Sequence, residues 1–326
     1  MDSTGVDPRE LTIAIEGWNA SDLADQQVFE ACLRSLSSQT FPTEQARVLV
    51  IVDAEMGGQQ ANRIQQLLPT AEIMPLERTT YYRTKNRALE MADSPYLVLA
   101  DSDMVYQPSW LAEMIKSLRP GVDFVVGDTK YAPGWLHHTL DLCDWVATRP
   151  ASGFTDSFYA NNLLLRRQLY TRIRFRDDMG SSGGGGSDVL RHQLIAQGIY
   201  PWYCAEARGV HDLPGFLAKR LRIGAFQIHY RRLARESRWS WLARLGWLSP
   251  FPVIGGTLLK AWVRTWRLRG TLPWGGWSYP YFVVTLALVK AIELVGALMY
   301  VVMPKGVNRR FGWFDVPQAA PAEVPA

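Results

Sequence analysis

YLVLADSDMVY, residues 96–106, is an apolar run that ends abruptly in two carboxylates. The run reads as a buried β-strand, and strand alternation turns Asp101 and Asp103 toward one face. Two carboxylates so close repel each other unless a cation sits between or beside them. A Mg²⁺ or Mn²⁺ ion held partly by a diphosphate suits such a pair; a solvated turn is the plainer alternative.

Working outward, LTIAI (11–15), RVLVIV (47–52) and VDFVV (122–126) are further short, β-branched runs. Helical patterns fall between them, in DQQVFEACLRSLSSQ (25–39) and TKNRALEMAD (84–93). Strand alternating with helix predicts an α/β fold whose sheet is largely parallel and covered by helices. Ligands of such sheets bind beyond the carboxyl ends of the strands, which draws attention to Glu16, Asn19, Asp53, Glu55, Asp101 and Asp103. FYANNLLLRR (158–167) and PWYCAEA (201–207) read as later strands, with a helix over 189–197 between them.

The chain has 326 residues, 48% of them apolar, and a formal charge of +4. That length suits one catalytic domain with an appendage. Cys32, Cys143 and Cys204 are widely spaced, without a CxxC pair, and read as reduced thiols. The amino-terminal stretch MDSTGVDPRE lacks an apolar run, so no signal peptide is expected and the catalytic region is expected to stay in the cytoplasm.

Basic residues crowd between Lys219 and Arg269, and seven of the thirteen tryptophans lie between Lys219 and Trp277. Cations interleaved with indoles serve nucleic acid or a membrane surface. PYFVVTLALVKAIELVGALMYVVM (280–303), long enough to cross a bilayer, decides for the membrane and against nucleic acid. Lys290 and Glu293 within it sit three apart on one helical face, where they can pair. One crossing, or a re-entrant hairpin with 247–263 as its first arm, are both compatible with the basic residues on either side.

In order along the chain, LTIAIEGWN, RVLVIVDAEMG and YYRTKNRALEMADSPYLVLADSDM resemble the opening strand, the nucleotide-binding aspartate strand and the arginine-asparagine helix with its aspartate-x-aspartate strand in glycosyltransferase family 2. The resemblance runs from about residue 11 to 232. It implies the GT-A fold, a Rossmann-like mixed sheet flanked by helices, and inverting transfer of a sugar from a nucleotide donor, UDP-linked by default.

It further implies that Asp53 takes the donor base and Glu16 lines the same pocket. Asp101 would face the ribose or sugar, Lys85 and Asn86 the diphosphate, and Asp103 with His211 the Mg²⁺ or Mn²⁺ ion. In SDVLRHQL the family's acidic pair becomes Ser187-Asp188, which leaves Asp188 as general base. Asn161 and Asn162 would reach acceptor hydroxyls or satisfy buried backbone.

Plainer readings stand beside these: surface solvation for Asp53 and Lys85, helix capping for Ser187 or Asp188, an ordinary histidine for His211. Glu16 stands where the family usually has proline, and Lys85 where arginine is commoner. Gln227 is followed by Ile-His-Tyr-Arg instead of the Gln-x-x-Arg-Trp of processive members, which favours a single transfer. The glycine run in MGSSGGGGSDVLRHQL (179–194) lacks a following Gly-Lys-Ser/Thr and reads as a mobile loop over the acceptor side, not a phosphate loop.

The expected organisation is a catalytic domain over 9–238, a Trp/Arg-rich interfacial or re-entrant segment over 239–278, a transmembrane helix over 279–304 and a flexible tail over 305–326. The expected partners are a nucleotide-sugar donor, a lipid or glycan acceptor and the membrane, at its cytoplasmic face, with self-association through the C-terminal helices left open. A nucleotidyltransferase and a non-catalytic nucleotide-sugar-binding membrane protein are the rival readings.

Overall fold

The computed structural model describes residues 5–17, 23–54, 58–77, 80–144, 151–177, 185–211, 216–233, 239–269 and 278–311. In chain order the elements are β1 (Leu11–Glu16), α1 (Leu23–Ser37), β2 (Arg47–Asp53), α2 (Gly58–Leu67), β3 (Ala71–Leu76), α3 (Tyr81–Met91), β4 (Tyr96–Asp101) and β5 (Met104–Tyr106). There follow α4 (Trp110–Lys116), β6 (Phe124–Tyr131), α5 (His137–Asp144), β7 (Gly153–Phe154), β8 (Asn162–Arg166), α6 (Arg167–Tyr170), α7 (Gly185–Ala196), β9 (Trp202–His211) and α8 (Phe216–Leu233). The C-terminal part holds a 3₁₀ segment (Ser240–Leu248), α9 (Pro250–Leu268), α10 (Ser278–Val302) and α11 (Pro304–Phe311).

Nine strands form one mixed sheet in the order β3-β2-β1-β4-β8-β6-β9-β5, with β7 beside β9. β3, β2, β1 and β4 run parallel, so their carboxyl ends open on one edge. β1 and β4 are buried on both faces, as continuous apolar runs require. One side of the sheet packs on α1 and α4 through Phe29, Leu33, Trp110 and Met114; the other packs on α3, α6 and α7 through Tyr82, Leu89, Tyr170 and Leu190.

β3 goes beyond the sequence-based expectation. It is an edge strand with half-exposed residues and Pro75 in its span, so neither the apolar run nor the alternation that marks a strand is present. β9 is longer than the apolar run PWYCAEA and extends to His211, because its second half pairs with β5 on one side and β6 on the other.

The C-terminal helices are packed onto the sheet and its helices. α8 and α10 touch backbone to backbone: a Cβ at Gly224 would fall on the Glu293 carbonyl, and one at Gly296 on that of Leu221. Thr139 of α5 and Thr285 of α10 share a hydrogen bond of 2.6 Å. Val289 of α10 is fully buried among Tyr131, Leu136 and Leu140 at the end of β6 and the start of α5. The glycine run is described only from Gly185, where α7 begins; its earlier residues lie outside the described ones. Gly186 is a point of close approach, since a Cβ there would stand 2.7 Å from the Arg176 carbonyl and 2.8 Å from the Tyr82 ring.

Candidate active site

The sheet register builds the centre. Glu16, last residue of β1, lies directly beside Asp101, last residue of β4. Two residues on, the chain turns back into β5, whose first residue Met104 pairs with His211 of β9. That pairing brings Asp103 and His211 together across a long stretch of chain, with His211 Nε2 3.1 Å from Asp103 Oδ2.

Asp101 is almost fully enclosed and heavily bonded. The Tyr81 hydroxyl lies 3.0 and 2.8 Å from its two carboxylate oxygens. Lys85 Nζ forms an ion pair with Oδ1 and also donates to the Ala100 carbonyl at 3.2 Å. Lys85 is 1% exposed, so its charge is spent within the site on Asp101 and does not reach the surface. Burial raises the Asp101 carboxyl above its ordinary range, against the pull of Lys85.

Glu16 is buried, and neither carboxylate oxygen meets a hydrogen-bond partner in good geometry. Burial, then the Asp101 charge, pushes its carboxyl well above the usual carboxylate range. Such a group carries its proton where an exposed glutamate would be ionised.

Asp103 behaves oppositely. Burial raises it, but the His211 and Lys219 charges prevail and hold it well below the carboxylate range. Lys219, from the first turn of α8, stands 3.7 Å from Asp103 Oδ2 and 3.3 Å from His211 Nε2. Burial pushes the Lys219 ammonium down, although Asp103 favours its charge. Asp103 Oδ1 is buried without a partner. An unsatisfied carboxylate oxygen beside an imidazole fits a divalent cation that takes its other ligands from a bound diphosphate. Among the described residues no group of three or more His, Cys, Asp or Glu could hold a metal.

The remaining residues singled out in the sequence are placed less uniformly. Asp53 ends β2, one strand out from Glu16, and is half-buried. Asn86 is turned to Phe175, with which it exchanges two 2.8 Å hydrogen bonds through the backbone. Asn162 is fully buried, accepting from Trp110 Nε1 at 2.7 Å and donating to the Asp128 carbonyl at 3.3 Å. Both amides are engaged in holding the fold. Asn161 keeps a buried, unpartnered Oδ1. Asn19 and Glu55 lie outside the described residues.

Ser187 and Asp188 sit inside the first turn of α7, which starts at Gly185, and not at its cap. Asp188 is partly exposed and 3.3 Å from Arg191. Ser187 is buried and bonded to the Tyr82 hydroxyl at 3.0 Å. The first turn of α3, begun by Thr80 as N-cap, therefore grips two parts of the site: Tyr81 holds Asp101 and Tyr82 holds the start of α7. The two tyrosines and Lys219 escaped sequence reasoning. Paired aromatics behind a Thr N-cap and a basic residue soon after GVHD are the only traces they leave.

Residues 19–138 match the family model of glycosyl transferase family 2. No curated protein sequence matches the chain. Among solved structures, the chain is similar to the mannosyltransferase PcManGT from Pyrobaculum calidifontis, solved with GDP-Man and Mn²⁺, at TM-score 0.58 and 17% identity over 93% of this chain and 89% of that one. The segment that carries Asp53, Lys85, Asp101 and Asp103 is thus similar to glycosyl transferase family 2, and the chain shares the GT-A-like mixed α/β fold of the mannosyltransferase.

Proposed function

We propose that the protein is a membrane-attached, metal-dependent, inverting glycosyltransferase that moves one sugar from a nucleotide donor to a hydroxyl of a lipid, lipid-linked glycan or other membrane-proximal acceptor. The observation that carries this reading is the single cluster of Glu16, Lys85, Asp101, Asp103, His211 and Lys219 at the strand ends, with Asp188 on a helix tied to the same turn of α3.

In this reading Asp53 and Glu16 line the base side of the donor site and Asp101 meets the ribose or sugar. A protonated Glu16 donates a hydrogen bond where an ionised one only accepts, so it suits a carbonyl of the donor. Asp103 and His211 would hold a Mg²⁺ or Mn²⁺ ion, which would supply positive charge on the diphosphate side of the donor. Lys219 adds a second positive charge on that side. Asp188 accepts the proton of the acceptor hydroxyl as its oxygen attacks the anomeric carbon from the face opposite the leaving diphosphate, and a single displacement inverts the configuration.

The donor is UDP-linked by default. The mannosyltransferase neighbour holds GDP-Man and Mn²⁺, which supports a nucleotide sugar with a divalent metal and makes GDP-mannose the second donor to test. The long apolar helix Ser278–Val302 supports membrane attachment, and in this reading the catalytic domain lies on the cytoplasmic side.

A panel of UDP- and GDP-sugars, scored for metal-dependent thermal stabilisation and slow hydrolysis, tests donor and metal together. Asp188→Asn then tests the base: donor binding should persist while turnover falls by about 10²–10⁴-fold. Unchanged turnover excludes Asp188 from that role, and the absence of metal-dependent binding by any nucleotide sugar overturns the donor and metal assignments.

A further inference from the structure

α10 has 25 residues and so measures about 37 Å, enough to cross a bilayer. Its midpoint, however, is fixed to the catalytic fold. Lys290 Nζ donates to Glu293 Oε2 at 2.8 Å, and Arg220 Nη1 donates to Glu293 Oε1 at 3.1 Å. Arg220 also pairs with Asp144 of α5, which accepts from the Tyr131 hydroxyl at 2.7 Å. The Tyr131 ring stands edge-on to His211 at 5.6 Å between centroids. From the middle of α10 to a proposed metal ligand there are thus only a few side chains.

A crossing helix puts its midpoint at the bilayer centre. Here that placement would carry Asp144, Tyr131 and His211 into hydrocarbon, and with them the proposed diphosphate site. A polyanion and the open ends of a β-sheet cannot be solvated there.

The uncovered surface points to another arrangement. α10 leaves Val284, Leu288, Val295 and Val302 exposed, spaced along one face. α9 leaves Phe251, Leu259, Trp262, Val263 and Trp266 exposed, and the preceding 3₁₀ segment with its N-cap leaves Trp239, Trp241 and Trp247. α9 and α10 are neighbours: Trp262 Nε1 donates to the Tyr279 hydroxyl, and the Trp266 and Tyr279 rings lie 5.4 Å apart. Between residues 239 and 289 the sequence has no Asp or Glu but carries Arg244, Lys260, Arg264, Arg267 and Arg269. A basic surface with tryptophans and aliphatic stripes is complementary to anionic headgroups over an acyl layer.

We infer that α9 and α10 lie in the plane of an anionic lipid bilayer, docked through these stripes, and that α10 does not cross it. The inference rests on the membrane-attached reading above and specifies its geometry. It also sets the site above the headgroups, where a lipid-borne hydroxyl can reach it while the nucleotide sugar arrives from water.

The test uses the full chain with distinct epitopes at its two ends. Flotation with vesicles of equal phosphatidylglycerol and phosphatidylcholine should carry the protein up, and pure phosphatidylcholine should bind it about tenfold less. In sealed inverted vesicles from expressing cells, protease should remove both epitopes. A protected C-terminal epitope beside an accessible N-terminal one overturns the in-plane geometry and leaves membrane attachment standing. Failure to float on either vesicle overturns both readings, and a dimer in sedimentation would then identify a second copy as the cover. The double variant V284D/V295D, at exposed positions, should lose about tenfold in vesicle binding without a change in thermal midpoint; unaltered binding also overturns the docking face.

Discussion

The Tyr82 hydroxyl stands 3.0 Å from Ser187 Oγ and accepts the Ser187 backbone N–H at 3.2 Å. This contact ties α3 to α7, and the Tyr82 ring also stacks on Phe175 and leaves room only for glycine at 186. Tyr82→Phe keeps the ring and deletes the oxygen, leaving a buried Ser187 N–H without its acceptor at a cost of about 1–3 kcal/mol. If Asp188 is the base, the variant should lower kcat about tenfold with little change in donor KM, as measured by steady-state kinetics. An equal fall in both, or none, separates the contact from positioning of α7.

Asp103 and His211 make a sharper prediction about the metal. Asp103→Asn keeps shape but removes charge, and should weaken Mn²⁺-dependent donor binding about tenfold or more in calorimetry while leaving metal-independent nucleotide affinity nearly unchanged. Identical loss with and without metal would assign the residue to the fold instead.

Asp141 supplies a pH signature. Burial, partly offset by the Tyr131 backbone N–H, lifts its carboxyl from 3.8 to about 6. A raised folded pKa means full stability below the unfolded value and a loss as pH climbs through the folded one. The wild type should therefore lose up to about 3 kcal/mol from this group between pH 4 and 6. Asp141→Asn can still accept the Tyr131 N–H and should lack that loss. Denaturant midpoints of the two proteins should agree near pH 4 and separate, with the variant more stable, by pH 7.

The ion network at α10 predicts unequal effects. Glu293→Ala leaves Arg220 and Lys290 buried with Asp144 as the remaining described counter-charge, a change of about 3–5 kcal/mol. Gly224→Ala forces α8 and α10 apart at their backbone contact and should cost at least about 1–3 kcal/mol. Chemical denaturation checks both, and a small effect from either would show that the helix pair can slide.

Legibility in the sequence followed burial. β1, β2 and β4 were plain because a strand covered on both faces must be apolar along its length, and their end carboxylates Glu16, Asp53 and Asp101 break that rule visibly. β3 was not, since an edge strand half in solvent tolerates Glu72 and Pro75. Asn86 and Asn162 looked like ligands for substrate; the structure uses their amides on Phe175, Trp110 and Asp128, and an Asn carries no mark in sequence of which partner it will find. Lys290 and Glu293 were visible as a pair. Arg220 and Asp144, which complete the network, come from helices remote in the chain, and only the tertiary fold makes them neighbours.

The β5–β9 ladder has one further consequence. The separation of Asp103 from His211 is set by the pairing of Met104 with His211, not by the length of chain between them. That intervening chain includes α5, β7 and the glycine-rich approach to α7. Insertions and deletions in the loops there can be absorbed while the strand register keeps the two candidate ligands in place. The spacing of this pair is thus insulated from drift in the segments that join the two strands.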